Sequence, residues 1–228
     1  MVRAERLGLI VAAQGLHQLG GHKPPEFRLP VLGPVSFQYL GYMNNRDDAF
    51  AWLPDALGLT FPLYSQVQRV FLDYSDPLAP QVFNRDEVAE AETVHGTYIN
   101  PETWIEYVPQ RFMLTHDKRA KQSAVTTGSP RWMQDKAWPT CPLQGTPMRF
   151  VMQISSTVAY YMPVKASNIR LLGPERLEQV GVNGHVEYYS QERSSERIYK
   201  VLNFWGDGHL YVFFAPETRM ACYLIQNS

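Results

Sequence analysis

Apolar positions in this chain fall into short runs of four to eight residues, broken repeatedly by proline and glycine. Alternation and clustering of β-branched and aromatic residues predict strands over 35–43, 67–74, 148–155, 185–189, 198–204, 209–214 and 221–226. Leu210-Tyr211-Val212-Phe213-Phe214 is apolar on both faces, which predicts a central strand covered on both sides. Gly206-Asp207-Gly208 precedes it and reads as a tight turn, predicting a hairpin between 198–204 and 209–214. Helical signals are fewer. Asn84 is placed to cap a helix over 85–93, with Asp86 and Glu87 in its first turn where the helix dipole favours negative charge. Pro174 before Glu175-Arg176-Leu177-Glu178 predicts a short helix ending near Gly181. Residues 3–19 form a third helix candidate, weakened by Gly8 and Gly15 at about 1 kcal/mol each relative to alanine. The polar, basic stretch 115–123 reads as a connector.

A loose internal repeat runs through this pattern. Leu19-Gly20-Gly21 leads through Leu32-Gly33-Pro34 into Val35-Ser36-Phe37-Gln38-Tyr39-Leu40. Thr127-Gly128-Ser129-Pro130 leads through Gly145-Thr146-Pro147 into Met148-Arg149-Phe150-Val151-Met152. The two copies occupy about 19–77 and 127–216, each ending in a later strand (67–74 and 209–214).

Composition narrows the class. With 228 residues, 45% apolar and 13% aromatic, the chain can bury a large core without a disulfide or metal staple. Seventeen prolines and fifteen glycines disfavour an all-helical fold. The 21 basic and 22 acidic residues nearly cancel, so the broad basic footprint of a nucleic-acid binder is missing. Only Cys141 and Cys222 are present, which points to a reducing compartment. Leu7 to Ala13 is a short apolar run behind Arg3 and Arg6, but Glu5 and the brevity of the run argue against a signal peptide. No stretch approaches the roughly 18 apolar residues of a membrane span. A cytoplasmic protein is expected.

Candidate chemistry is sparse. The six histidines form no HExxH or similar pattern, and no Gly-x-Ser-x-Gly elbow occurs. Leu19-Gly20-Gly21-His22-Lys23 runs into two prolines, which offer no amide donors for a phosphate. No catalytic residue, cofactor or metal is therefore assigned. Asp207, His209 and Asp73 are the groups to test first in an enzymatic reading. For partner binding, Asp86, Glu87, Glu90 and Glu92 form an acidic patch suited to a basic protein. Arg111, Lys118, Arg119 and Lys121 form a basic stretch downstream. Trp132 and Trp138 sit in a loop stiffened by Pro130, Pro139, Pro142 and Pro147; they either pin that loop or serve as a recognition surface.

The stretch from 125 to 156, VTTGSPRWMQDKAWPTCPLQGTPMRFVMQISS, resembles the YwqG-like family of bacterial proteins and its eukaryotic relative, programmed cell death protein 2. Family members often carry Cys-Pro-x-Cys-Gly where this chain has Cys141-Pro142-Leu143-Gln144-Gly145. With Gln144 in the second position, half of a zinc knuckle is lost, and Cys141 is expected to be a small buried thiol. The resemblance implies an internal duplication with intertwined halves. Pattern and resemblance together predict an α+β fold: one YwqG-like domain over 1–228, with a twisted, mostly antiparallel sheet built from two interlocking repeats and a few short helices. The resemblance also implies a non-enzymatic protein binder, an immunity protein of a bacterial polymorphic toxin system that neutralises a cognate toxin by occluding its active site. The alternatives are an RNA-related enzyme or nucleic-acid-processing factor, and a chaperone of a ribosomal protein.

Overall fold

The computed structural model describes residues 5–33, 35–63, 67–95, 104–117, 124–155, 164–167, 178–180, 186–188, 204 and 208–227. Its strands are β1 (Leu7–Val11), β2 (His17–Leu19), β3 (Gln38–Met43), β4 (Leu57–Phe61), β5 (Arg69–Asp73), β6 (Gln81–Val82), β7 (Ile105–Tyr107) and β8 (Gln110–Thr115). They continue with β9 (Val125–Thr127), β10 (Arg149–Ser155), β11 (Val164–Ser167), β12 (Glu178–Val180), β13 (Val186–Tyr188), β14 (His209–Ala215) and β15 (Met220–Gln226). One α-helix, α1 (Arg85–His95), and a 3-10 turn at Asp48–Phe50 complete the described elements. No described helix is long and apolar enough to cross a membrane.

Eleven strands form one antiparallel sheet in the order β4-β3-β2-β8-β1-β9-β10-β14-β15-β5-β6. The α+β expectation is therefore corrected to a nearly all-β fold. Within the stretch 3–19, Leu7–Val11 and His17–Leu19 are strands, both paired along β8. Gly15 between them lies so close to the Phe112 backbone that a Cβ would sit 2.3 Å from its carbonyl oxygen. Of the helix expected near 174–181, Glu178–Val180 is a strand paired with Val186–Tyr188. Residues 171–177 lie outside the described residues.

The central-strand expectation for 209–214 holds. β14 is buried and pairs along its whole length with β10 on one side and β15 on the other. Those two strands flank β14 on both edges, and residues 198–203, expected to pair with it in a hairpin, lie outside the described residues. Strands from both halves of the chain share the sheet. β1 lies between β8 and β9, and β5 extends the sheet beyond β15 through pairs such as Leu72 with Ala221. β3 and β10 each carry a register shift, between Tyr39 and Gly41 and between Phe150 and Met152.

The sheet folds over so that its two ends meet. β4 is buried at every position yet pairs on one edge only, with β3. A buried open edge would leave amides and carbonyls without partners. Two tyrosines from the far end of the sheet fill the gap. The Tyr223 hydroxyl faces the Thr60 amide and stands 2.8 Å from the Tyr74 hydroxyl, and Tyr74 donates to the Gly58 carbonyl at 2.6 Å. Burial pushes both phenols well above their ordinary pKa, so each keeps the proton this chain requires. Around it pack Phe61 against Tyr223 and Tyr74 against Phe214. The edge of β5 is closed similarly. Asn84 accepts from the Phe71 amide at 2.8 Å and donates to the Arg69 carbonyl and to Glu87. Asn84 thus precedes the helix as expected, but its side chain serves the sheet edge rather than the helix amides.

Tyr223→Phe leaves the Thr60 amide buried without an acceptor and should destabilise the fold by about 1–3 kcal/mol. Tyr74→Phe should have a similar effect, and the double variant should lose less than the sum because both single changes break the same chain. Urea unfolding of the four proteins measures this.

Candidate functional site

Register places two rows of side chains on the outer face of the sheet. Phe71, Cys222, Phe213 and Phe150 form one row; Arg69, Leu224 and Tyr211 form the next. The phenylalanine row would be an exposed apolar patch were it not roofed by residues 128–148. Trp132 stacks on Tyr211 (ring centroids 4.9 Å) and on Phe213 (6.0 Å). Trp138 meets Trp132 and Phe213 edge-on and donates its indole N–H to the Met148 carbonyl at 2.8 Å. Cys141 is buried in the same cluster, the bland reading expected for it, with its thiol 3.2 Å from the Thr218 hydroxyl. Burial raises the Cys222 thiol to about 12, so it is held neutral.

Buried polar side chains hold this roof by its backbone. The Gln153 carboxamide oxygen accepts from the Arg131 amide at 2.7 Å. The Tyr211 hydroxyl donates to the Arg131 carbonyl at 2.6 Å and accepts from the Met133 amide; burial pushes its pKa up to about 12. Gln226 accepts from the Met133 and Gln134 amides and donates to the Asp135 carbonyl. At the loop's start the Arg6 guanidinium donates to the Ser129 and Pro130 carbonyls. Gly128 stands at φ +83° with the Glu5 carbonyl 2.0 Å from where a Cβ would be, a place only glycine fills. Trp132 thus pins the loop, one of the two readings of the tryptophans, while Trp138 remains 37% exposed on the surface the loop presents.

The loop also walls an open cleft of about 840 Å³ at the end of the sheet where β10 begins. The opposite wall is the 3-10 turn bearing Trp52, whose ring lies 4.0 Å beneath the Arg149 guanidinium. That turn is set by His17 and Asp47. The Asn44 amide donates to His17 Nδ1 at 3.1 Å, which leaves the proton on Nε2, 3.2 Å from the Asp47 carboxylate. Asp47 in turn accepts from the Ala49 amide, and Phe50 packs edge-on to the imidazole. Burial lowers the His17 pKa despite the carboxylate, so the ring is neutral and structural.

Comparison with protein-family models, curated proteins and solved structures returns no match. The site is accordingly read from its own geometry. Asp86, Glu87 and Glu90 are exposed on α1, as expected, and Glu87 reaches Arg69 at 3.8 Å. Glu92 lies on the same helix, with its side chain outside the described residues. Arg69 pairs with Leu224 and Leu224 with Tyr211, so the residue that Glu87 meets and the residue under Trp132 stand in one row, two strand spacings of about 5 Å apart.

It does not bring together the enzymatic trio. Asp73 stands opposite Met220 and His209 opposite Gln226, six residues along β15 and hence about 20 Å away. The Asp73 carboxylate is engaged by the Ser75 amide and hydroxyl, and Asp207 lies outside the described residues. Among the described residues no three His, Cys, Asp or Glu side chains gather to hold a metal. The cleft itself went unforeseen, because its walls come from six separate stretches of the chain.

Gln226→Ala should free three loop contacts, raise the rate of proteolytic cleavage within 131–137 severalfold and cost about 1–3 kcal/mol in urea unfolding. For His17, a folded pKa below the unfolded 6.5 means that its contribution is complete above that pH and lost as pH falls through the folded value. Stability of the parent protein should decline below about pH 6.5, and His17→Gln should flatten that slope in urea titrations between pH 7.5 and 5.

Proposed function

We propose that the protein is a non-enzymatic, cytoplasmic binder of one protein partner, an immunity protein that neutralises a cognate bacterial toxin by covering its active site. The role comes from the resemblance of residues 125–156 to the YwqG-like family. The observation that carries the binding mode is the roofed outer face: Trp138 and Leu143 are exposed on a loop held by Arg6, Gln153, Tyr211 and Gln226, and Asp86, Glu87 and Glu90 are exposed at the start of α1. A loop already fixed loses little entropy on docking, and exposed tryptophan is the side chain most enriched among residues that dominate binding. The acidic helix start adds a field that draws in a basic partner.

Co-expression with the product of a neighbouring toxin gene should give a stable complex and restore growth. Trp138→Ala should weaken that complex by about 2 kcal/mol or more, roughly thirtyfold. Asp86→Asn, Glu87→Gln and Glu90→Gln combined should slow association and reduce its salt dependence. A wild-type protein that forms no complex with any such product, or a complex indifferent to all four changes, contradicts the proposal.

A further inference from the structure

The cleft beside Trp138 carries charge opposite to that of α1. Its lining holds the cations Lys136 and Arg149 and the imidazole of His116 against one carboxylate, Glu5. Neither cation is within salt-bridge distance of a carboxylate among the described residues. Each instead lies over an indole, Arg149 at 4.0 Å from the Trp52 ring centre and Lys136 at 5.6 Å from that of Trp138. A guanidinium stacked on a ring is held in place by the ring's quadrupole while its N–H fork remains free for a planar anion.

We propose that this cleft receives an acidic segment of the protein partner, an extended stretch in which a carboxylate stands beside an apolar side chain. The inference rests on the protein-binding reading and adds the site and its chemistry. The carboxylate pairs with Arg149 and Lys136, while the apolar side chain covers the exposed part of Trp138 and its neighbour Phe150. A flat nucleobase is disfavoured, because one face of each indole already carries the protein's own cation and the stacking platform a base needs is reduced. The cleft is also open rather than enclosed and is lined largely by apolar groups, a shape that admits a chain passing through it. Acidic α1 and this basic cleft present two fields of opposite sign to the partner.

The full-length protein is applied to an array of end-capped dodecapeptides in three sets: Asp/Glu flanking Phe or Leu, the same with Asn/Gln, and the same with Lys/Arg; AMP is titrated separately. The acidic set should bind best. Arg149→Gln with Lys136→Gln should weaken that binding at least about tenfold, and Arg149→Lys should retain part of it. The partial retention by Arg149→Lys separates lost charge from lost fold. Equal or better binding of the neutral or basic sets overturns the inference, as does acidic binding indifferent to Arg149 and Lys136. No acidic binder at all overturns it whatever AMP does, and saturable AMP binding in the cleft would assign it to a nucleotide instead. A toxin complex that forms normally with the Arg149→Gln, Lys136→Gln variant removes only the cleft assignment; absence of a wild-type complex removes the protein-binding reading itself.

Discussion

The fold depends on closing the edge of a buried strand with side chains instead of with another strand. β4 sits inside the core, so the Gly58 carbonyl and Thr60 amide on its unpaired edge are out of reach of water. The hydroxyls of Tyr74 and Tyr223 meet both groups in one chain of donors and acceptors. Because these tyrosines belong to the opposite end of the strand order, satisfying the edge also fixes how the sheet folds over and which faces become inside and outside. Desolvation holds both phenols neutral, and only neutral phenols can donate onward.

From that closure the functional surface follows. Folding the sheet leaves the row Phe71, Cys222, Phe213 and Phe150 outside, and an aromatic row of that length needs cover. The loop 128–148 supplies it by stacking Trp132 there, and glutamine and tyrosine side chains from the sheet read the loop's backbone as another strand would. The loop's outward side is consequently a rigid surface. The cleft arises because the loop and the Trp52 turn are each anchored separately, one to β14 and β15, the other to His17 and Asp47, leaving space between the two anchors.

How far this was legible in the sequence varies by residue. β14 was readable because a short run that is apolar on both faces fits a strand covered on both sides. The stiff tryptophan loop was readable from its prolines and glycines. β4 escaped notice: Leu57-Gly58-Leu59-Thr60-Phe61 has a glycine inside and prolines at 54 and 62, and its strand character comes from its neighbours. β1 read as a helix because a five-residue apolar run cannot be assigned by period alone. Gln153 and Gln226 gave no signal either, since a glutamine in a strand normally marks the solvent face, whereas both are buried here with the loop as partner. Local periodicity carries no information about such long-range pairings.

The Thr60 amide reports on the closure most directly, through native-state hydrogen exchange followed residue by residue. Closure by the tyrosine pair predicts that this amide exchanges only by global unfolding, at the same free energy as the amides of β14. Rapid exchange at Thr60, with β14 still fully protected, would show an open edge and contradict the account.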